Sequence, residues 1–105
     1  MVYEVVITPD AQKDWDNALS YISLIKKNPQ AVINLNNDFE DAVCALETAA
    51  GSLKLDDDPD IAAMGYHRIH LDKHNYFILY RVIGDHAFVD RIFHDLQDYK
   101  NHIYQ

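Results

Sequence analysis

The first apolar segment, Val2-Tyr3-Glu4-Val5-Val6-Ile7, is rich in β-branched residues and has the length of a strand. Thr8-Pro9-Asp10 follows as a helix-start signal: a hydroxyl for the N-cap, proline for the first turn, and an acid near the positive end of the helix dipole. Apolar residues then recur at alternating spacings of four and three, at Ala11, Trp15, Ala18, Ile22 and Ile25, which predicts one amphipathic stripe. Lys26-Lys27 suits the negative end of that helix, and Asn28-Pro29 repeats the start signal. Val32, Leu35, Phe39, Ala42, Val43 and Leu46 form a second stripe, with Gly51 as the expected helix stop. A break this short between two amphipathic helices predicts an antiparallel hairpin.

Residues 52–65 are irregular and contain Asp56-Asp57-Asp58-Pro59-Asp60. This cluster lacks the glycine and distal glutamate of a calcium loop, so a solvated loop with a short helical turn at Ile61–Met64 is expected. Strand signals resume at Tyr66–Leu71, Tyr76–Val82 and Ala87–Phe93, and their short connectors predict an antiparallel meander. Period-two alternation places Tyr66, Arg68 and His70 on one side, opposite Ile69 and Leu71. In the last strand it groups Ala87, Val89, Arg91 and Phe93 against Phe88, Asp90, Ile92 and His94. Asp95 is the expected cap of a final helix with Leu96, Tyr99 and Ile103 on one face. The expected fold is α+β, in the order β-α-α-β-β-β-α: one domain over residues 1–105, with a small antiparallel sheet packed on the N-terminal helix hairpin and one sheet face open.

At 105 residues the chain has room for one core, burying roughly two-thirds of its unfolded surface. No apolar run approaches membrane-spanning length, and the N-terminal residues carry no export signal. Cys44, the single cysteine, has no disulfide partner and sits beside the second helix stripe as an expected core residue. A cytoplasmic location is the expectation.

The net charge of −8 argues against nonspecific affinity for polyphosphate. The excess is uneven, however: residues 1–65 carry a net −8 and residues 66–94 a net +1, the latter holding five of the six histidines. There is no phosphate loop, nucleophile elbow or C-x-x-C pair. His67 and His70, three apart in a strand, point to opposite faces and cannot chelate together. Arginines on an exposed sheet face make good phosphate forks, and histidine exchanges protons near neutrality. Metal-free RNA cleavage needs such groups: a base at the 2′-hydroxyl, cations on the phosphate and an acid at the leaving oxygen. Strand-end twist leaves His94 room to project toward the open face. The competing structural reading has Arg81 and Arg91 paired with Asp90 or loop acids and His94 packed at the helix start.

Val5-Val6-Ile7-Thr8-Pro9-Asp10-Ala11 ahead of a helix hairpin, Gly65-Tyr66-His67-Arg68-Ile69, Tyr76-Phe77-Ile78-Leu79-Tyr80-Arg81-Val82 and the run from Val89 to Tyr99 come in that order. Together they resemble the RelE/ParE superfamily of bacterial type II toxins over nearly the whole chain. The resemblance implies a toxin neutralised by a cognate antitoxin protein in a hetero-oligomer. RelE-like members cleave mRNA in the ribosomal A site without a metal, whereas ParE-like members inhibit DNA gyrase and are not nucleases. A degenerate relative that only binds its partner is the third alternative.

On the nuclease branch, Arg68 and Arg91 match strand arginines that grip phosphate, and His94 falls where some members place a catalytic histidine. Lys54 resembles a basic residue in the loop before the second strand. The expected catalytic residues are then His94, Arg91 and Arg68, with Arg81, Lys54 and His70 as substrate contacts and no metal or cofactor. Nuclease members are usually strongly basic, which sets the charge of this chain on the side of gyrase inhibition. The presence of His94 tips the expectation to ribosome-dependent mRNA cleavage.

Overall fold

The computed structural model describes residues 2–103. The elements run β1 (Glu4–Ile7), α1 (Pro9–Lys26), α2 (Pro29–Ala49), a 3₁₀ turn (Ala50–Ser52), α3 (Pro59–Ala63), β2 (His67–His70), β3 (Tyr76–Ile83), β4 (His86–His94) and α4 (Tyr99–Ile103). Both long helices start on the signals in the sequence: the Thr8 hydroxyl accepts from the Ala11 amide at 3.3 Å, and Asn28 Oδ1 from the Gln30 amide at 2.9 Å. Among the described residues no helix is long and apolar enough to cross a membrane.

Gly51 has a different role from the expected helix stop. Helix α2 passes through Ala50 in right-handed conformation into the 3₁₀ turn, with no left-handed residue. The glycine is needed for space, since a Cβ there would collide with the Tyr3 hydroxyl. The left-handed position falls at Lys27 (φ 50°), which ends α1 as its amide bonds Ser23 O at 3.0 Å.

The sheet order is β1-β4-β3-β2, with β1 parallel to β4 and the other pairs antiparallel. On the helix side, Ala11, Trp15, Ala18, Leu35, Phe39, Ala42 and Leu46 pack on Leu71, Tyr76, Ile78, Tyr80, Ala87, Val89 and Ile92. Trp15 stacks on Phe39 with ring centroids 4.4 Å apart. The buried Tyr80 hydroxyl donates to Ala50 O at 2.8 Å, and burial pushes its pKa up to about 12. The stripes weaken at their ends, as Ile25 is exposed, and Cys44 is exposed instead of belonging to the core.

A bulge overturns the simple alternation expected for the last strand. Leu79 lies opposite Arg91 and Tyr80 opposite Val89, so Asp90 is an extra residue. Ala87 and Val89 face the helices before the bulge; after it Ile92 does so, and Arg91 and Phe93 turn to the outer side. One inserted residue reverses every later side chain in a period-two strand.

The outer face is also less open than expected. Phe77, Leu79 and Phe93 are buried there beneath Tyr66, Tyr99 and Ile103, so α4 closes part of it. Residues 95–97 form a turn rather than the first turn of that helix, which leaves Leu96 89% exposed and apart from Tyr99 and Ile103.

Asp38, buried on α2, clamps the β2–β3 turn. Its carboxylate accepts from the amides of Asp72 (3.1 Å) and Lys73 (2.8 Å) and from His74 Nδ1 (2.8 Å). Burial pushes its pKa up, but the His74 bond and the two amides outweigh this and hold it below the ordinary carboxylate value. Unfolded chains therefore take up this proton first as pH falls, so the stabilisation is complete above about pH 4 and is lost through the folded-state pKa. Asp38→Asn should cost about 2–3 kcal/mol in urea unfolding at pH 7. The difference from wild type should shrink below about pH 4. A constant difference from pH 7 to pH 3 would show that the charge of Asp38 plays no part.

Candidate functional site

Arg68 on β2, Leu79 on β3 and Arg91 on β4 are in register, so the two arginines flank Leu79 on the outer face, about 10 Å apart at the backbone. Neither guanidinium stands open. That of Arg68 lies over the Phe77 ring at 4.0 Å and the Tyr99 ring at 4.8 Å. Its Nε is 3.1 Å from Asp56 Oδ2, a close ion pair whose atoms do not align into a hydrogen bond. Asp56 is buried, and its other oxygen, Oδ1, accepts from the Tyr99 hydroxyl (3.2 Å) and the Asp58 amide (2.9 Å). This corrects the reading of residues 56–60 as a purely solvated loop. Its first carboxylate closes on the sheet, and Asp58 caps α3 and pairs with Lys100 at 2.8 Å.

Arg91 is held by Asp14 of α1, through Nε at 2.8 Å and Nη2 at 3.2 Å. Strand β1 ends at Ile7, one position before the bulge, so β4 has no strand neighbour on that side beyond Val89. Side chains cover the edge instead. Asp14 Oδ2 accepts from the Ile92 amide at 2.9 Å, Gln97 Oε1 from the His94 amide at 2.7 Å, and the Thr8 hydroxyl donates to Asp90 O at 3.2 Å. Hydrogen bonding to Asp14 raises the Arg91 pKa further, fixing its charge. Arg81 pairs across the bulge with Asp90, which also accepts from the Tyr66 hydroxyl at 3.1 Å. Burial, then the charge of Asp90, pushes the Tyr66 pKa up.

His94 lies on the other side of the sheet, contrary to the expected projection onto the outer face. Opposite Tyr76, its ring meets that residue edge-on at 5.0 Å, and its Nδ1 accepts from the Leu96 amide at 3.1 Å. The neutral ring therefore carries its proton on Nε2. The histidine borders a groove of about 400 Å³ between α1 and β4, lined by Asn17, Tyr21, Tyr76, Ile92 and Leu96 among others.

The remaining candidates stand apart. Lys54 pairs with exposed Asp57 at 2.7 Å and holds its carboxyl low, and His70 Nε2 lies 3.4 Å from Asp95 Oδ1. Among the described residues no cluster of three or more metal-ligating side chains occurs. The structure thus aligns Arg68 with Arg91 but separates both from His94 by the thickness of the sheet. The competing structural reading foresaw Arg81–Asp90. The partners Asp14 and Asp56 carried no local signal, since they sit 77 and 12 residues from the arginines they close.

The model of the ParE toxin of the type II toxin–antitoxin system parDE matches residues 5–99. No curated protein matches the chain significantly. A solved structure of the chromosomal ParDE TA system from P. aeruginosa superposes with a TM-score of 0.73. At 18% identity, and covering 89% of this chain and 96% of that one, it is a likeness of fold.

If Asp14 supplies the missing strand acceptor, Asp14→Ala should destabilise by about 2–3 kcal/mol, leaving the Ile92 amide without its acceptor and removing the two Asp14 bonds from Arg91. Asp14→Asn, which keeps an acceptor, should cost clearly less. A double-mutant cycle with Arg91→Ala should give a coupling of about 1–2 kcal/mol. Exposed Asp16→Ala serves as the neutral control, and equal effects at positions 14 and 16 would refute the edge role.

Proposed function

The chain belongs to the ParE toxin family of type II toxin–antitoxin systems, and from that premise we propose that it arrests growth by binding and inhibiting DNA gyrase, without cleaving RNA. The observation that carries this reading is the closure of Arg68, Arg81 and Arg91 on Asp56, Asp90 and Asp14. A phosphate fork needs unspent guanidinium donors, and a scissile phosphate here would have to displace carboxylates already in place. A general acid or base must also reach the reacting oxygen, and His94 opens on the face opposite Arg68. The net charge of −8 adds long-range repulsion from ribosomal RNA.

In this reading the three arginines fasten the sheet to its surroundings, and the toxin acts by stoichiometric contact. A cognate antitoxin restrains it, seated in the groove between α1 and β4. Because Asp14, Gln97 and Thr8 already satisfy that strand edge, the antitoxin docks by burying side chains rather than by adding a strand.

Induced expression without antitoxin should stop growth while primer extension on an abundant transcript shows intact mRNA. The purified protein should inhibit supercoiling by gyrase with no added ribosome. Discrete mRNA cuts that vanish in a folded His94→Ala variant, a loss of roughly 10²-fold or more for a true acid or base, would replace this reading with the nuclease.

A further inference from the structure

We propose that the tip of the helix hairpin is the surface that grips the target, and that it takes an acidic protein surface bearing apolar side chains. This rests on the reading of the chain as a gyrase inhibitor. Two independent features meet there. Tyr21, Leu24 and Ile25, spaced to share one face of the last turns of α1, are 58%, 73% and 59% exposed. Ile33, in the first turns of α2, is 50% exposed. Apolar side chains exposed in consecutive helical turns are a docking surface more often than scattered ones.

The second feature is charge. Lys54, Arg68, Arg81, Arg91 and Lys100 are engaged by internal carboxylates. Among the described residues the cations without an ion pair are Lys13, Lys26, Lys27 and Lys73, and only Lys26 and Lys27 are adjacent. They stand next to Leu24 and Ile25. The helix dipole accounts for a cation at Lys26. It does not account for Lys27, a lysine kept in left-handed conformation (φ 50°) where glycine or asparagine would sit with less strain.

An apolar centre with a charged rim is the anatomy of a protein interface. A purely apolar partner would bury the lysines unpaired. Nucleic acid would use the lysines but leave Leu24 and Ile25 in water. An acidic protein surface bearing apolar side chains satisfies both features, pairing Lys26 and Lys27 while burying Leu24 and Ile25.

The test compares wild type with Lys26→Glu/Lys27→Glu and Leu24→Ser/Ile25→Ser in supercoiling assays on intact gyrase. Each pair should raise the half-inhibitory concentration about tenfold or more, and Lys26→Arg/Lys27→Arg should restore wild-type potency. Wild-type inhibition should weaken with added salt, and the glutamate pair should lose that dependence. All four positions are exposed, so Tm should hardly move; should the serine pair unfold, the lysine pair decides.

Wild-type potency in the folded glutamate pair would overturn the proposal and leave the gyrase reading standing. So would lysine-dependent sedimentation with phosphatidylglycerol vesicles at unchanged potency, or a glutamate pair that still inhibits gyrase but escapes neutralisation by co-expressed antitoxin. Failure of wild type itself to inhibit gyrase would overturn both readings.

Discussion

Strand β1 is shorter than the strand it pairs with, and the rest of the structure depends on how that mismatch is resolved. From Asp90 to His94 the central strand β4 runs on without a neighbour on one side. A buried amide without an acceptor costs about 1–3 kcal/mol, so the edge needs partners from elsewhere. Asp14 supplies one from the second turn of α1, and with it fixes where the helix crosses the sheet. The same carboxylate takes the Arg91 guanidinium, so one side chain joins helix, strand edge and arginine. Gln97 repeats the device one residue pair further along. The groove between α1 and β4 lies beside the part of β4 that a longer β1 would have covered.

The bulge at Asp90 works with this arrangement. It lets β4 bury Val89 against the helices and, past the bulge, Ile92 on that same side and Phe93 on the other. It also directs Asp90 to Arg81 and Tyr66. The outer face then closes by a second route: Arg68 between Phe77 and Tyr99, with buried Asp56 beneath it. Replacing buried ion pairs by apolar groups is often neutral or stabilising, so such pairs say more about placement than about gained stability. Here they place α4 and the acidic loop. They also spend the charge that a phosphate-binding face would need.

Much of the fold was legible because it rests on local rules. Thr8-Pro9 and Asn28-Pro29 start helices by satisfying nearby amides, and the stripes through Trp15 and Leu46 report which side is buried. Short connectors allow only antiparallel neighbours for β2, β3 and β4. The misreadings have specific causes. Gly51 looked like a helix stop because glycine usually serves as one, while its actual neighbour, Tyr3, is 48 residues away in sequence. Cys44 borders the stripe of α2 closely enough to read as core. Leu96 shared a helical period with Tyr99 that a turn at residues 95–97 interrupts.

The sequence by itself determined the element order, the helix hairpin, the meander and the membership that those residues in that order signal. It also determined an acidic chain whose cations are few. Only the tertiary structure decided which cations are spent. Asp14 and Arg91 lie at opposite ends of the chain, and no periodicity links them. A one-residue bulge, invisible to alternation, decided which face each side chain after Asp90 takes. Local propensities act over a few residues, whereas a strand edge takes its partner from whatever the finished fold brings within 3 Å. The site therefore depended on the second kind of information, and the fold on the first.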